Sequence, residues 1–189
     1  MTTWQPDGWL SAAAHLPSPN FGERPRGSVV SLLLLHNISL PPDEFGGDWV
    51  EDFFLNRLDP TVNPYFSTIS DLQVSAHFYV RRDGRIIQFV GCDQRAWHAG
   101  QSSWSGGENC NDYSVGIELE GSDFQPYEAV QYEALWPLLD ALQARYPIQA
   151  IAGHCHVAPG RKTDPGPYFD WPAVCLRYPN LILPPEIAT

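Results

Sequence analysis

The run Val29-Val30-Ser31-Leu32-Leu33-Leu34-Leu35-His36 decides the fold. It is almost continuously apolar and stops abruptly on the polar pair His36-Asn37. A short hydrophobic run of this kind reads as a central strand covered on both faces. The carboxyl end of such a strand is where a side chain projects into a crevice, so His36 stands at a candidate site.

Working outward, residues 1–28 are rich in Pro, Gly and Ser and are expected to wrap the surface. After His36, Pro41-Pro42 and Gly46-Gly47 break the chain. Asp48 is then placed to cap a short helix through Leu58, with Glu51 three positions on. Between Ser75 and Val90, two apolar-rich segments flank Asp83-Gly84, a favoured two-residue hairpin turn. Ser114 to Glu120 reads as a further strand. Pro126 suits the first turn of a helix whose Val130, Ala134, Leu138 and Leu142 share a face, with Pro137 expected to kink it. Ala150 to Gly153 is a short strand leading into His154. The expected class is α/β (α+β): one domain over residues 1–189, a central mixed sheet flanked by helices, with a frayed tail from 182 to 189.

The chain has 189 residues, enough to bury a substantial core. Its net charge of −11 argues against nucleic acid and anionic membrane surfaces as partners. No stretch approaches the ~18 apolar residues of a membrane span. The first residues lack a basic region followed by an apolar one, so no secretory signal is read. Cys92, Cys110, Cys155 and Cys175 are too scattered for a zinc knuckle and are read as reduced thiols. A cytoplasmic monomer is the expectation.

The chemistry concentrates in Gly153-His154-Cys155-His156-Val157-Ala158-Pro159-Gly160-Arg161-Lys162-Thr163-Asp164-Pro165. Two imidazoles and a carboxylate suffice to hold a catalytic zinc, leaving its fourth position to water. His36, Asp164 and one of His154 or His156 form such a set. Pro165 disfavours helical backbone at Asp164, and in an extended segment Lys162 would point to the same side. Hydrolysis also needs a proton acceptor, for which Glu118 and Glu120 are rivals on one face of their strand. His98 is a further rival ligand, while His77, alternating with apolar neighbours, reads as a structural strand residue.

With His36-Asn37-Ile38-Ser39-Leu40-Pro41-Pro42, Arg95-Ala96-Trp97-His98-Ala99-Gly100, Gly116-Ile117-Glu118-Leu119-Glu120-Gly121 and Arg161-Lys162-Thr163-Asp164-Pro165-Gly166 in this order, the chain resembles the zinc-dependent N-acetylmuramyl-L-alanine amidases. The resemblance implies an amidase fold like that of peptidoglycan recognition proteins and one Zn2+ per chain. It selects His36, His154 and Asp164 as ligands, Glu118 as general acid/base and Lys162 as oxyanion partner. It assigns Asn37, Trp97, His98, Ala99 and Arg161 to substrate binding. The implied reaction cleaves the amide between the lactyl group of 1,6-anhydro-N-acetylmuramic acid and L-alanine in muropeptides. Cytoplasmic recycling of peptidoglycan and an indirect influence on β-lactamase induction are implied with it.

Overall fold

In the computed structural model, residues 3–185 and 187 are described. Six strands form the main sheet in the order Ala150–Gly153, Leu32–Ile38, Ser114–Glu120, Phe78–Val80, Ile86–Gln88, Ala14–His15. The first four run parallel to one another. Ile86–Gln88 is antiparallel to its hairpin partner Phe78–Val80, so the sheet is mixed as expected.

The apolar run is a strand between two parallel neighbours, and Leu32 to Leu35 are at most 1% exposed. Full burial of each such leucine stabilises by roughly 1.5–3 kcal/mol. Alternation then divides the two faces. Leu33 and Leu35, with Val115, Ile117 and Leu119, pack against Leu135, Leu138, Leu139 and Leu142 of the long helix Ala129–Arg145. Leu32 and Leu34 face the other way, toward Ala99, Cys110 and Val157. His36 and Glu118 share the parity of that second face, which leaves them free of the long helix.

Several local expectations change. The Asp83-Gly84 hairpin closes with three residues, Arg82 to Gly84, because the Arg81 amide bonds to the Arg85 carbonyl and Gly84 adopts φ +81°. Asp48 and Glu51 form no capping box: both carboxylates bind the Arg81 guanidinium, and the helix is confined to Trp49–Phe54. A buried guanidinium demands those acceptors more strongly than an exposed helix end does.

The long helix starts after Pro126, capped reciprocally by Glu128 and Gln131, and continues through Pro137 as one element. Four buried leucines outweigh the ~3 kcal/mol a helical proline costs. Its buried stripe includes Gln131, Leu135 and Leu139, whereas Val130 is 39% exposed.

The chain termini are more integrated than expected. Ala14–His15 adds an edge strand to the main sheet, and Leu10 lies in the core. The start therefore does more than wrap the surface. At the other end, Ile182 bridges to Ala150, its amide donating to the Gln149 carbonyl and its carbonyl accepting from Ile151. Free groups on the outer strand take up that segment, so residue 182 is not frayed. Residues 186, 188 and 189 of the expected tail lie outside the described residues.

None of the four cysteines is joined in a disulfide. No helix among the described residues is long and apolar enough to cross a membrane.

Candidate metal centre

The strand register assembles the site. Glu118 is the direct partner of His36, and Gly153 pairs with Leu35. His154 therefore emerges level with His36, at the start of the short helix His154–Val157. The Cys155 amide donates to the Asp164 carbonyl at 2.9 Å, drawing Asp164 alongside.

His36 Nδ1 and His154 Nδ1 are 3.0 Å apart, and Asp164 Oδ2 lies 3.0 and 3.1 Å from them. Tetrahedral zinc with bonds of about 2.0–2.2 Å sets its donors roughly 3.3 Å apart. Three convergent donors of the right kinds, nearly at that spacing, fit a zinc ion. Burial lowers the pKa of His36 to about 4, against the opposing hydrogen bond to the Asp164 carboxylate, so its imidazole is neutral as a ligand must be. Burial opposes ionisation of Asp164, but its hydrogen bonds with His154 and His36 outweigh that and hold the carboxyl below the usual range.

Glu118 lies beside this cluster, with Oε1 4.0 Å from His36 Nδ1. Its Oε2 is buried without a hydrogen-bond partner among the described residues. Burial, reinforced by the Asp164 charge, raises its pKa well above the ordinary carboxylate value, with Lys162 opposing. A carboxyl of this kind can take up a proton and return it near neutral pH. Glu120 is occupied differently, accepting the amides of Gly46 and Arg82 and so tying two loops together.

A cleft of about 430 Å³ opens onto the cluster. His36, Glu118, His154, Lys162 and Asp164 all line it, as do Asn37, Trp97 and His98. Asn37 donates to Asp123 Oδ1 at 3.0 Å. Sequence reasoning passed over other parts of the wall: Tyr65, Ile69, Leu72 and Phe124. Phe124 is 74% exposed at the rim. Its only signal in the sequence was its place just after the Glu118 strand.

The remaining candidates are engaged elsewhere. Ala99 is fully buried; its carbonyl accepts from His154 Nε2 at 2.9 Å and from Arg161 Nη2 at 2.7 Å. Arg161 Nη2 also donates to the Gln101 carbonyl at 2.6 Å. His156 is not among the three converging donors, and its Nδ1 accepts the Gly153 amide at 2.8 Å. His77 is fully buried, with Nδ1 accepting the Gly116 amide and Nε2 facing the Gln94 carbonyl.

Comparison with known proteins gives a consistent picture. A family model described as N-acetylmuramoyl-L-alanine amidase matches residues 26–167. A 1,6-anhydro-N-acetylmuramyl-L-alanine amidase, AmpD, of Citrobacter freundii is 52% identical over 180 residues, covering 94% of each chain. A crystal structure of a selenomethionine AmpD derivative superimposes with a TM-score of 0.87 at 52% identity, covering 90% of this chain and 96% of the other. The amidase AmiD of Escherichia coli, solved with anhydro-N-acetylmuramic acid-L-Ala-D-γ-Glu-L-Lys, gives a TM-score of 0.59 at 29% identity, covering 84% and 65%.

Proposed function

Since the chain belongs to the N-acetylmuramoyl-L-alanine amidase family, we propose that it is a zinc enzyme that hydrolyses the amide joining the lactyl group of 1,6-anhydro-N-acetylmuramic acid to L-alanine in muropeptides. His36, His154 and Asp164 would hold one Zn2+ through Nδ1, Nδ1 and Oδ2. The observation that carries the reading is the adjacency of that donor set to Glu118, whose Oε2 has no partner among the described residues. When bound, the ion supplies Lewis acidity and lowers the pKa of a coordinated water toward ~7.

The protein's own groups then divide the work. Glu118 takes a proton from the attacking water as its oxygen adds to the amide carbon. As the C–N bond breaks, Glu118 returns that proton to the departing L-alanine nitrogen, giving a lactyl carboxylic acid and an amine; transfer of the acid proton to the amine leaves a carboxylate and an ammonium group. Lys162 faces the developing oxyanion, and its charge favours the transition state over the bound amide. Asn37, Trp97 and the apolar wall of Tyr65, Leu72 and Phe124 receive the muropeptide. Arg161 and Ala99 act through the protein framework, because both are bonded to it.

We place the enzyme in the cytoplasm as a monomer acting on recycled muropeptides, with an indirect influence on β-lactamase induction. The net charge of −11 suits small substrates better than anionic wall polymer. The test is metal analysis combined with release of L-alanyl peptide from anhydro-muropeptide and from intact sacculus. One zinc per chain and preference for the anhydro-muropeptide are expected. A metal-free, inactive protein that still binds muropeptide would reject the enzyme reading, and preferential digestion of sacculus would reject the substrate.

A further inference from the structure

We infer that His98 is a positioning residue for the metal site: it accepts the Nε2 proton of His36 and thereby fixes the tautomer that leaves His36 Nδ1 free to bind a metal. This rests on the zinc reading above and replaces the substrate contact expected of His98.

The geometry leads there from the ligands outward. Both ligating imidazoles turn Nδ1 into the cluster and Nε2 away from it. His154 Nε2 faces the Ala99 carbonyl, which can only accept, so His154 carries its proton there. Among the described residues, the hydrogen-bond partner of His36 Nε2 is no carbonyl or carboxylate but His98 Nδ1, 2.9 Å away. An imidazole nitrogen is donor or acceptor according to tautomer. With a metal on His36 Nδ1, its Nε2 must donate and His98 Nδ1 must accept. His98 Nε2 then carries the proton and donates to Ser114 Oγ, 3.3 Å away.

The site around His98 is built for one ring pose. Asn111 Oδ1 accepts the amides of both His98 and Ala99, at 3.1 and 2.8 Å. Two adjacent residues, pinned by one side chain, thus supply the outer partners of both ligating histidines. The ring lies against Gly116, where a Cβ would sit 2.5 Å from His98 ring atoms. Outer partners of this kind orient metal-ligating histidines, and losing one typically weakens metal binding 10- to 100-fold.

The test is the zinc dissociation constant, measured by competition with a fluorescent chelator, for wild type, His98→Phe and His98→Asn. Phe keeps ring volume without an acceptor; Asn can offer Oδ1 where Nδ1 stood. Expected is a 10- to 100-fold weaker constant for His98→Phe, with His98→Asn within about threefold of wild type. Unchanged affinity in His98→Phe, or equal losses in both variants, overturns the inference. Long-range 1H–15N correlation on zinc-loaded wild type decides it without a variant. Protonated Nε2 and bare Nδ1 on His98 are expected, and the reverse tautomer overturns the role. Failure of wild type to bind zinc would instead reject the metal reading itself.

Discussion

Glu118 and His36 are direct partners in two parallel strands, and this pairing sets the carboxylate 4.0 Å from the imidazole Nδ1. A one-residue shift of either strand would send its own side chain, His36 or Glu118, into the layer under the long helix. The chemistry therefore depends on the same alternation that buries Leu33 and Leu35 on the opposite face.

Removing a metal donor should abolish zinc binding and activity together. His36→Ala and Asp164→Ala are expected to lose both, because two protein donors hold zinc poorly. His156→Ala should keep the metal, since that ring bonds the Gly153 amide and not the cluster. Zinc content after gel filtration checks both; metal loss only in the His156 variant would mean that the ligand was misassigned.

The two glutamates should separate by phenotype. Glu118→Ala is expected to keep zinc and lose turnover by about a hundredfold or more. Glu120→Ala should instead destabilise the fold by about 1–3 kcal/mol per stranded amide, because Gly46 and Arg82 lose their acceptor. Denaturant midpoints and kcat, measured on both variants, distinguish the two roles.

Lys162→Ala should lower kcat by the equivalent of about 2.7–4 kcal/mol, the scale of one lost oxyanion donor, with KM little changed. Lys162→Arg should rescue only in part, since a planar guanidinium differs in size and geometry from an ammonium. A raised KM with wild-type kcat would assign Lys162 to substrate anchoring.

Gly116→Ala should disturb the centre from behind. The added Cβ would meet the His98 ring at 2.5 Å, so the ring or the strand must move. Overpacking of this kind costs about 1–3 kcal/mol, and zinc affinity should fall with it. Calorimetry of the metal-free and zinc-loaded variant reads both effects; an unaltered melting temperature and affinity would contradict the packing.

His77 predicts a pH dependence of stability. Burial first, and then the neighbouring Arg24 charge, depress its pKa from 6.5 to about 3, although the Gln94 carbonyl opposes this. Between those values the unfolded chain binds a proton that the folded chain does not. Its contribution is therefore present above pH ~6.5 and lost as pH falls toward ~3, at up to ~1.4 kcal/mol per unit. Metal-free His77→Asn should show a shallower decline than wild type over that window. Parallel unfolding curves would remove His77 as a source.

Much of the architecture was legible because short-range physics controls it. The strands Ser114–Glu120 and Ala150–Gly153 fall where apolar patterning put them. The turn spans Arg82 to Gly84 and the long helix starts at Ala129, because the Arg81–Arg85 backbone bond and the Glu128–Gln131 cap, and not the dipeptide and proline preferences, set where each element begins. Asp48 looked like a cap by local rules, yet a buried arginine claimed it.

The sequence by itself determined five of the six strands of the main sheet, the kinds of donor available and the resemblance to the amidases, since residue type and short-range periodicity carry all three. Only the tertiary structure decided that Glu118 has an oxygen unpartnered among the described residues while Glu120 is bonded, that His156 accepts the Gly153 amide, and that Arg161 donates to the Ala99 carbonyl. It also decided that His98 stands behind His36. The physical reason is that a polar side chain's role follows from which partners reach it. Those partners lie 62 residues apart for His36 and His98, and 118 apart for His36 and His154. Strand register and the packing of the loops, not neighbours along the chain, bring them within hydrogen-bonding distance.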